Sequence, residues 1–298
     1  MYIPHLDIGE ASVHLLNDGF WWDDGGANFG VVPKDLWAKE KPADEHNRIH
    51  MSLVCPLILA DREVILVDTG IGNRLSAREK EIHRPERGAG LGGGLHLVGL
   101  EPADVTIVVL SHLHFDHCGG VVNRSDAGTL SVAFPKARHL VQRSEWNVAL
   151  HPTNDRDAAA YRHARECFEP LGENLVDLLD GPTAVTPSVR TVVTGGHTPA
   201  HQCVVVESAG AGLVHLADLV PTIPHLRPGW AAAYDLDPIG LLEAKTRLLA
   251  EVITRKWWVS FDHDDQVASG RLCGNQRRPE ITDTIPTPEP VRRLASAF

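Results

Sequence analysis

The chain has 298 residues, a net charge of −11, and hydrophobic and charged contents of 43% and 22% that are normal for a folded globular protein. The acidic charge argues against a general nucleic-acid-binding role, because neutralising phosphates requires clustered Lys and Arg. No segment approaches the roughly 18 apolar residues that a membrane span needs, and the N-terminal residues do not have the pattern of a signal peptide. We therefore expect a cytoplasmic protein with no nucleic-acid or membrane partner.

Short runs rich in β-branched residues alternate with loops that carry His and Asp. In chain order, strands are predicted at 53–60, 63–67, 105–110, 191–193, 202–207, 213–216 and 256–261, and a helix at 238–254. Candidate metal ligands follow several of these strands, which is where layered folds place binding sites on loops held by a rigid sheet. This arrangement predicts two packed sheets covered by helices.

No Pro-, Gly- or Ser-rich linker divides the sequence, so we predict a single domain over 1–298. The stretch 71–99 contains the glycine-rich run GAGLGGG, and the stretch 143–180 is polar and helix-like. Both are expected to be insertions over one face of the sheet. The polar residues 274–298 are expected to form a C-terminal extension, either a surface strand or a partner-binding arm.

Histidine is the unusual residue in the composition. There are 17 histidines, whereas the five cysteines are dispersed and form no C-x-x-C pair. Dispersed cysteines argue against a disulfide framework and against a thiolate zinc site. We expect reduced thiols that are mostly buried, including Cys118, and we expect the metal chemistry to use imidazole.

Four ligand-type side chains lie within the six residues HLHFDH at 112–117. On a turn from strand to helix, His112 and His114 can face one point, while Asp116 and His117 can face a second point nearby. An ordinary structural role for such a dense cluster is improbable, and a closed structural zinc site would favour cysteine. The motif therefore predicts a catalytic metal site.

Three further ligand-type residues follow predicted strands, namely His197, Asp218 and His263. With the four in the motif, the total of seven exceeds the four ligands of a tetrahedral zinc ion. Seven are enough for two metals that share a bridging carboxylate and a bridging water. Nitrogen and oxygen ligands without thiolate suit zinc, iron, manganese or cobalt.

This ordered set resembles that of the metallo-β-lactamase-fold hydrolases, whose hallmark is H-x-H-x-D-H followed by separate His, Asp and His ligands. The resemblance extends from about residue 53 to residue 265 and includes VDTG at 67–70 and GHTP at 196–199. It implies an α+β fold, specifically a four-layer αββα sandwich with the site at one edge. Two divalent transition metals are implied as cofactors, with zinc as the first choice.

The resemblance also implies a role for each ligand residue. One metal would be held by His112, His114 and His197, the other by Asp116, His117 and His263, with Asp218 bridging them. Asp68 would accept a hydrogen bond from a ligand imidazole and so orient it.

The implied mechanism is attack on an ester-type bond by a metal-bound hydroxide. Two metals roughly 3.5–4 Å apart lower the pKa of a bound water toward neutrality. Asp116 can both ligate a metal and handle the proton. No serine nucleophile is expected, because the sequence has no G-x-S-x-G motif.

The resemblance is strongest to the lactonase and organophosphate-hydrolase branch. It implies a small-molecule ester or lactone substrate, with a quorum-quenching lactonase as the first reading. A phosphotriester hydrolase or an arylesterase is the alternative, and a non-catalytic metal-binding scaffold is the alternative of another class. A homodimer is compatible with each of these functions.

One position departs from the best-known acyl-homoserine lactonases, which carry a tyrosine three residues after the bridging Asp. Pro221 stands there in this chain. Tyr234 and His225 lie on the same segment, and either can supply the missing hydrogen bond or have a purely structural role. Both are therefore candidate catalytic residues.

The substrate entrance is expected between two segments that start next to Asp68 and Asp218. These segments are 71–99, whose glycines would permit movement or close approach to substrate, and 221–234. The residues predicted to line an apolar pocket are Trp22, Phe29, Phe115 and Trp230. Ordinary core packing is the alternative for each aromatic residue.

Overall fold

Two β-sheets pack face to face and carry helices on their outer surfaces in the computed structural model of the protein. The structure describes residues 2–171, 176–275 and 277–292. The strands are β1 His5–Ile8, β2 Ala11–Asp24, β3 Arg48–Ala60, β4 Glu63–Val67, β5 Ile107–Val109, β6 Val122–Arg124, β7 Leu130–Val132, β8 Arg138–Gln142, β9 Val176–Leu179, β10 Val189–Val193, β11 Gln202–Ser208, β12 Ala211–His215, β13 Trp258–Ser260, β14 Val267–Asn275 and β15 Arg278–Pro286. The α-helices are α1 Gly25–Phe29, α2 Lys34–Trp37, α3 Ala77–His83, α4 Gly90–Leu97, α5 Phe115–Cys118, α6 Arg143–Leu150, α7 Asp155–Ala160, α8 Arg162–Leu171 and α9 Pro238–Arg255.

The first sheet has the order β1-β2-β3-β4-β5-β8-β9 within the described residues. Strands β1 to β4 pair antiparallel, whereas β4, β5, β8 and β9 pair in parallel. All three residues of β5 are buried, as expected for a strand covered on both faces. The carboxyl ends of β4 and β5 therefore meet at one edge of the sheet.

The second sheet has the order β10-β11-β12-β13-β14-β15 within the described residues. Strands β12 and β13 are parallel and are joined by α9, while the other neighbours pair antiparallel. Helix α9 begins at Pro238 with Asp237 as its N-cap, because the Asp237 carboxylate accepts from the backbone N–H of Gly240. This crossover brings the ends of β12 and β13 to the same edge.

Apolar side chains fill three layers. Residues such as Val54 and Val204 pack between the two sheets. Val108 and its neighbours pack outward against α4, α6 and α8. Val214 packs on the other side against Leu248 of α9. The predicted four-layer αββα sandwich is therefore confirmed, and burial of this apolar surface holds the site-bearing strand ends in place.

Most of the glycine-rich run within 71–99 is helical, whereas its glycines were expected to permit movement or close approach to substrate. It forms α4, whose Leu91 and Leu95 are buried against the first sheet. A Cβ placed at Gly94 would lie 3.3 Å from the Leu16 side chain. The absence of a side chain at Gly94 thus permits close approach to the sheet rather than to a substrate.

The stretch 143–180 is largely helical, as predicted, and it contains α6, α7 and α8 before ending in β9. Residues 172–175 of this stretch lie outside the described residues. In the predicted extension 274–298, residues Arg278–Pro286 form the edge strand β15. The Asn17 side-chain amide then donates to the carbonyl of Pro288 at 2.8 Å, so the segment after β15 returns to the first sheet.

Residue 276 and residues 293–298 of the predicted extension lie outside the described part of the chain. Within the described ranges, no helix has the length and apolar character needed to cross a membrane.

Candidate metal centre

The seven predicted ligands come from loops that follow four strands. Residues 112–117 follow β5, His197 follows β10, Asp218 follows β12 and His263 follows β13. Because the fold aligns these strand ends at one edge, side chains separated by up to about 150 positions converge on one place.

Glycines allow the HLHFDH loop to pack closely against the loop after β4. The backbone N–H and the hydroxyl of Thr69 both donate to the carbonyl of His117, at 2.7 and 2.9 Å. A Cβ at Gly120 would collide with the Thr69 carbonyl oxygen, and one at Gly119 would collide with that of Ile71. The two glycines that follow Cys118 are therefore required by the close contact between these loops.

One group of ligand atoms, which we call the first cluster, consists of His112, His114, His197 and Asp218. These atoms lie within 4.8 Å of one another. His197 Nε2 lies 2.9 Å from Asp218 Oδ2 and 3.0 Å from His114 Nδ1. His112 Nε2 lies 3.6 Å from the same carboxylate oxygen and has no hydrogen-bond partner among the described residues.

The other group, which we call the second cluster, consists of His117, His263, Asp218 and Asp262, again within 4.8 Å. Asp218 Oδ2 lies 3.6 Å from His117 Nε2, and its Oδ1 lies 3.4 Å from His263 Nε2. Asp116 Oδ2 lies beside this cluster, 3.3 Å from His263 Nε2 and 3.5 Å from His117 Nε2. Asp218 thus reaches both clusters.

Asp262 did not stand out in the sequence reasoning. The available signal was a second acid next to a ligand histidine in the loop after β13, in the run FDHDD. A carboxylate beside a ligand is often only a solvated surface group, so this neighbour of His263 was not predicted as a ligand. The structure buries it to 2% exposure and turns it toward the imidazoles.

Hydrogen bonds on the far sides of the imidazoles fix their orientation. Asp68 Oδ2 accepts from His117 Nδ1 at 3.0 Å, which is the position predicted for an orienting carboxylate. Asp235 Oδ1 accepts from His197 Nδ1 at 2.8 Å, and the Ser52 carbonyl accepts from His263 Nδ1 at 2.8 Å. With Nδ1 occupied in this way, Nε2 of each ring is left to face a cation. Asp235 was not predicted from the sequence.

Burial and neighbouring charges shift the ligand groups in opposite directions. Burial lowers the pKa of His112 well below its usual value and that of His114 to about 3. Burial also opposes protonation of His117, but the Asp116 and Asp218 carboxylates outweigh it and raise the pKa of that imidazole well above its usual value. The same competition, with Asp218 as the main partner, raises the pKa of His197 to about 10. The carboxylates therefore draw positive charge into the site.

The residues present fit divalent metals. The ligand atoms are imidazole nitrogens and carboxylate oxygens that all lie within 4.8 Å of one another, and three pairs in the first cluster are 2.9–3.6 Å apart. Donors that share an ion at about 2.1 Å stand roughly 3–3.5 Å apart. His112 Nε2 and Asp218 Oδ1 are buried without a hydrogen-bond partner among the described residues, a state that bound cations relieve.

A cavity of about 200 Å³ opens onto the two clusters. Phe115 and Trp230 line it, as do Trp21, Asp23 and Met51. The mixture of aromatic and aliphatic walls with a few acidic groups is typical of a small-molecule site.

Two of the predicted aromatic residues do not line the cavity. Trp22 packs on His50 instead, with ring centroids 5.0 Å apart, because successive side chains of β2 point to opposite faces and Trp21 takes the cavity face. Phe29 is buried behind the wall and stacks on His225 at 4.7 Å.

The two predicted walls contribute unequally. The segment 221–234 supplies several lining residues, including Pro221, Trp230 and Tyr234, whereas His83 is the lining residue from 71–99 in the described structure. The remaining side includes Trp21 and Asp23 of β2, the two neighbours of the predicted Trp22.

Tyr234 and His225 both line the cavity but differ in their contacts. The Tyr234 hydroxyl donates to Asp23 Oδ2 at 3.0 Å. His225 is buried, and its Nε2 donates to the Asn28 carbonyl at 2.8 Å while its Nδ1 pairs with the Thr222 hydroxyl at 2.6 Å. Both ring nitrogens of His225 are therefore engaged within the wall, whereas the Tyr234 hydroxyl bonds to Asp23, which also lines the cavity.

Cys118 is fully buried, and its thiol donates to the Leu113 carbonyl at 3.4 Å. Burial raises the pKa of this thiol well above its usual value. Both observations support the packing role expected for Cys118, because a nucleophilic thiol needs a lowered pKa.

Residues 52–263 match the Metallo-beta-lactamase superfamily. Since this match covers more than half of the chain, the protein belongs to that superfamily, and the resemblance read from the sequence is confirmed. The family and its relatives also support the prediction of a metal-dependent hydrolase.

Among solved structures, a probable metal-dependent hydrolase from Staphylococcus aureus is 30% identical, with a TM-score of 0.82 over 94% of this chain and 100% of that chain. The dizinc quorum-quenching lactonase AidC shares the fold at 21% identity, with a TM-score of 0.74 over 94% and 96% of the two chains.

Among curated relatives, an N-acyl homoserine lactonase of Bacillus thuringiensis is 32% identical over 171 residues, covering 57% of this chain and 60% of that protein. The N-acyl homoserine lactonase AttM of Azorhizobium caulinodans is 32% identical over 170 residues, covering 52% and 57%. The alignments thus span about 60% of the length of these relatives.

Proposed function

We propose that this protein is a binuclear metal-dependent hydrolase that opens lactones. The observation that carries the proposal is the position of Asp218, whose carboxylate faces both ligand clusters at the base of a largely apolar cavity. The similarity to N-acyl homoserine lactonases supports a lactone as the first substrate class to test.

In this proposal, the imidazoles of His112, His114 and His197 would hold the first metal, His117, His263 and Asp116 would hold the second, and Asp218 would be available to both. Zinc is the first choice, which the dizinc neighbour AidC supports, and iron, manganese and cobalt are the alternatives. When bound, two such ions supply an activated water and polarise the carbonyl oxygen of an ester.

Asp116 is the proposed proton acceptor. Its carboxylate is buried, lines the cavity and sits 3.3 Å from His263 Nε2. His117 and His263 outweigh its burial and lower the pKa of this carboxyl to about 2, so Asp116 is ionised at neutral pH and can accept a hydrogen bond from an attacking water, the contact through which the proton would leave.

Tyr234 is the proposed proton donor for the leaving alkoxide. Burial and the adjacent Asp23 carboxylate raise the pKa of its hydroxyl, so it keeps its proton at neutral pH. Asp23, which accepts at 3.0 Å, holds the hydroxyl at the cavity wall. His225 supports this wall through its bonds to Asn28 and Thr222 and through its stacking on Phe29.

The cavity favours a small, uncharged substrate. Its volume of about 200 Å³ is below the roughly 300–1,000 Å³ of sites for drug-sized ligands. Met51, Phe115 and Trp230 can contact an acyl chain, whereas Asp23 and Asp116 disfavour anions. We therefore propose a lactone ring with a short acyl chain in preference to long-chain acyl-homoserine lactones.

The test is a comparison of kcat/KM across short- and long-chain acyl-homoserine lactones, simple lactones, aryl esters and phosphotriesters, using metal-reconstituted protein. Short-chain lactones should rank first. Tyr234→Phe should lower kcat by about 100-fold, as expected for losing a general acid, and leave the bound metal unchanged. His225→Gln is the matched control in the same wall.

A phosphodiester or thioester preferred about a hundredfold over every lactone would overturn the lactonase assignment. A preference for phosphotriesters or aryl esters would support a phosphotriester hydrolase or an arylesterase. No turnover of any substrate with any of the reconstituted metals would support a non-catalytic metal-binding scaffold. A cytoplasmic location and a homodimer stay predictions from the sequence.

A further inference from the structure

Asp262 is a buried carboxylate that is not among the metal ligands proposed above. It directly precedes His263 after β13 and is 2% exposed. Its Oδ2 lies 3.5 Å from His263 Nε2 and 3.9 Å from His117 Nε2. Neither of its carboxylate oxygens has a hydrogen-bond partner within the described residues.

A buried ionised carboxylate is costly unless a cation or several hydrogen bonds compensate it. Within the described chain, the ion pairs of Asp262 involve only the imidazoles of His117 and His263, both of which also face Asp218. No Lys or Arg forms an ion pair with Asp262 in this part of the structure. The group that best compensates Asp262 is therefore a cation placed among these side chains.

The distances suit a shared ion. The separations of 3.5 and 3.9 Å from the two imidazole nitrogens are close to the roughly 3–3.5 Å expected for donors around one ion, and Asp116 stands at 3.3 and 3.5 Å from the same nitrogens. A small movement of the Asp262 side chain on metal binding would complete the set.

We call the metal-binding positions at the first and second clusters the first and second positions. When Asp262 is counted with the ligands proposed above, the second position has two imidazoles and carboxylates from Asp116, Asp218 and Asp262. Five protein donors exceed the four of a tetrahedral site, and three of them are hard oxygen donors. Oxygen-rich sites with more than four ligands suit manganese, iron and cobalt better than they suit zinc. The first cluster, with three imidazoles and one carboxylate, has the composition typical of zinc.

We propose that Asp262 is an additional ligand of the second metal and makes that position selective for manganese, iron or cobalt, while the first position takes zinc. This proposal rests on the binuclear centre proposed above. The centre would then be heterometallic, with Asp218 joining a nitrogen-rich and an oxygen-rich position.

The main test measures metal binding in the absence of substrate. Apo-protein is titrated with Zn²⁺ and with Mn²⁺ or Co²⁺ alone, with a competing chelator, and elemental analysis counts the ions. Wild-type protein should bind its second Mn²⁺ or Co²⁺ at least about tenfold more tightly than Asp262→Asn does. Binding of the first Zn²⁺ should be the same in both proteins.

Asp265→Asn is the matched control. Asp265 is an acid in the same loop, but it pairs with Lys41 and His50 rather than with the clusters. Its substitution should leave the affinity for both metals unchanged. A loss of affinity as large as that of Asp262→Asn would overturn the ligand role, because it would show that charge in the loop is sufficient.

Two measurements separate the possible failures. If wild-type protein binds one ion in total, the binuclear proposal fails before Asp262 is at issue. If it binds two and Asp262→Asn binds both with unchanged affinity and selectivity, the role of Asp262 is refuted and the binuclear centre stands. Tighter binding by Asp262→Asn would show that wild-type Asp262 weakens metal binding, which also overturns the proposal.

A diffraction experiment covers the case in which Asp262→Asn does not fold. Crystals of wild-type protein loaded with Zn²⁺ and Mn²⁺ are measured at the absorption edges of both metals. Manganese should occupy the second position, with a carboxylate oxygen of Asp262 at about 2.0–2.6 Å. Zinc at both positions, with Asp262 more than about 3 Å from either ion, would contradict the proposal.

Discussion

The two ligand clusters share Asp218 but offer different atoms to a metal. The first cluster presents three imidazoles and one carboxylate, and the second presents two imidazoles and, with the adjacent Asp116, three carboxylates. Their supports differ as well, since the imidazole of His197 is oriented by Asp235 and that of His117 by Asp68. One edge of the sandwich thus builds two chemically distinct positions that share Asp218 and the loop after β5.

Because the two clusters differ in their ligand atoms, we expect that the metal affinity of one can be changed without changing that of the other. Imidazole nitrogens bind zinc strongly, whereas a carboxylate-rich position is harder and more tolerant of several metals. A substitution of a ligand that belongs to only one cluster should therefore change one position and leave the other intact. Asp218 is the exception, because its carboxylate faces both clusters.

The largest expected effect is the loss of metal itself. Fully loaded protein should contain about two ions per chain, because its ligands exceed what one ion uses. Graded chelation should remove them in two steps and abolish hydrolysis, which elemental analysis and activity can follow together. Full activity with one ion or fewer per chain would contradict the proposal of two metal positions.

The next effect is that of Asp218→Ala, compared with Asp116→Ala. Each should lower kcat/KM by about three orders of magnitude or more. Only Asp218→Ala should deplete both ions, since Asp116 contacts only the second cluster. Elemental analysis distinguishes them, and equal loss of both ions from Asp116→Ala would show that the clusters are not separable.

Smaller effects are expected from the carboxylates behind the imidazoles. Asp235→Ala should weaken the first position and Asp68→Ala the second, each by roughly 10–100-fold in metal affinity. Asp237→Ala serves as a control, because the Asp237 side chain caps α9 by accepting from the N–H of Gly240 and, among the described residues, makes no hydrogen bond or ion pair with a ligand side chain. Metal titration checks these assignments. A larger loss of metal affinity from Asp68→Ala than from Asp218→Ala would contradict the roles of Asp68 as an orienting carboxylate and Asp218 as a ligand.

The smallest effect should come from Lys245, which touches neither cluster. Its ammonium donates to the carbonyls of His225, Arg227 and Trp230 at 3.0, 3.3 and 2.6 Å and so holds the cavity wall. Lys245→Met should destabilise the fold by about 1–3 kcal/mol, because buried carbonyls lose their donor. KM should rise severalfold while the metal content stays at two, and urea unfolding with steady-state kinetics tests both.

Most of the fold could be predicted from the sequence because its signals are local. Strand β4 was placed at 63–67 as observed, and the predicted helix 238–254 differs from α9 by one residue. The glycine-rich α4 was missed, since glycine lowers helix propensity and only its packing on the first sheet makes that helix stable. Trp22 was predicted to line the cavity, whereas Trp21 does so. The sequence of a strand shows that successive side chains alternate between the two faces, but it does not show which face meets the cavity.

The identity and order of the candidate metal ligands could be predicted from residue order, because ligand chemistry and the spacing of HLHFDH are local properties. The packing of the two sheets was needed to show which ligands lie together and that Asp235 and Asp262 face them. Asp235 reaches His197 across 38 positions, and Asp262 reaches His117 across a much longer separation. Such contacts depend on how the sheets pack and on the direction of each side chain, which residue order alone does not specify.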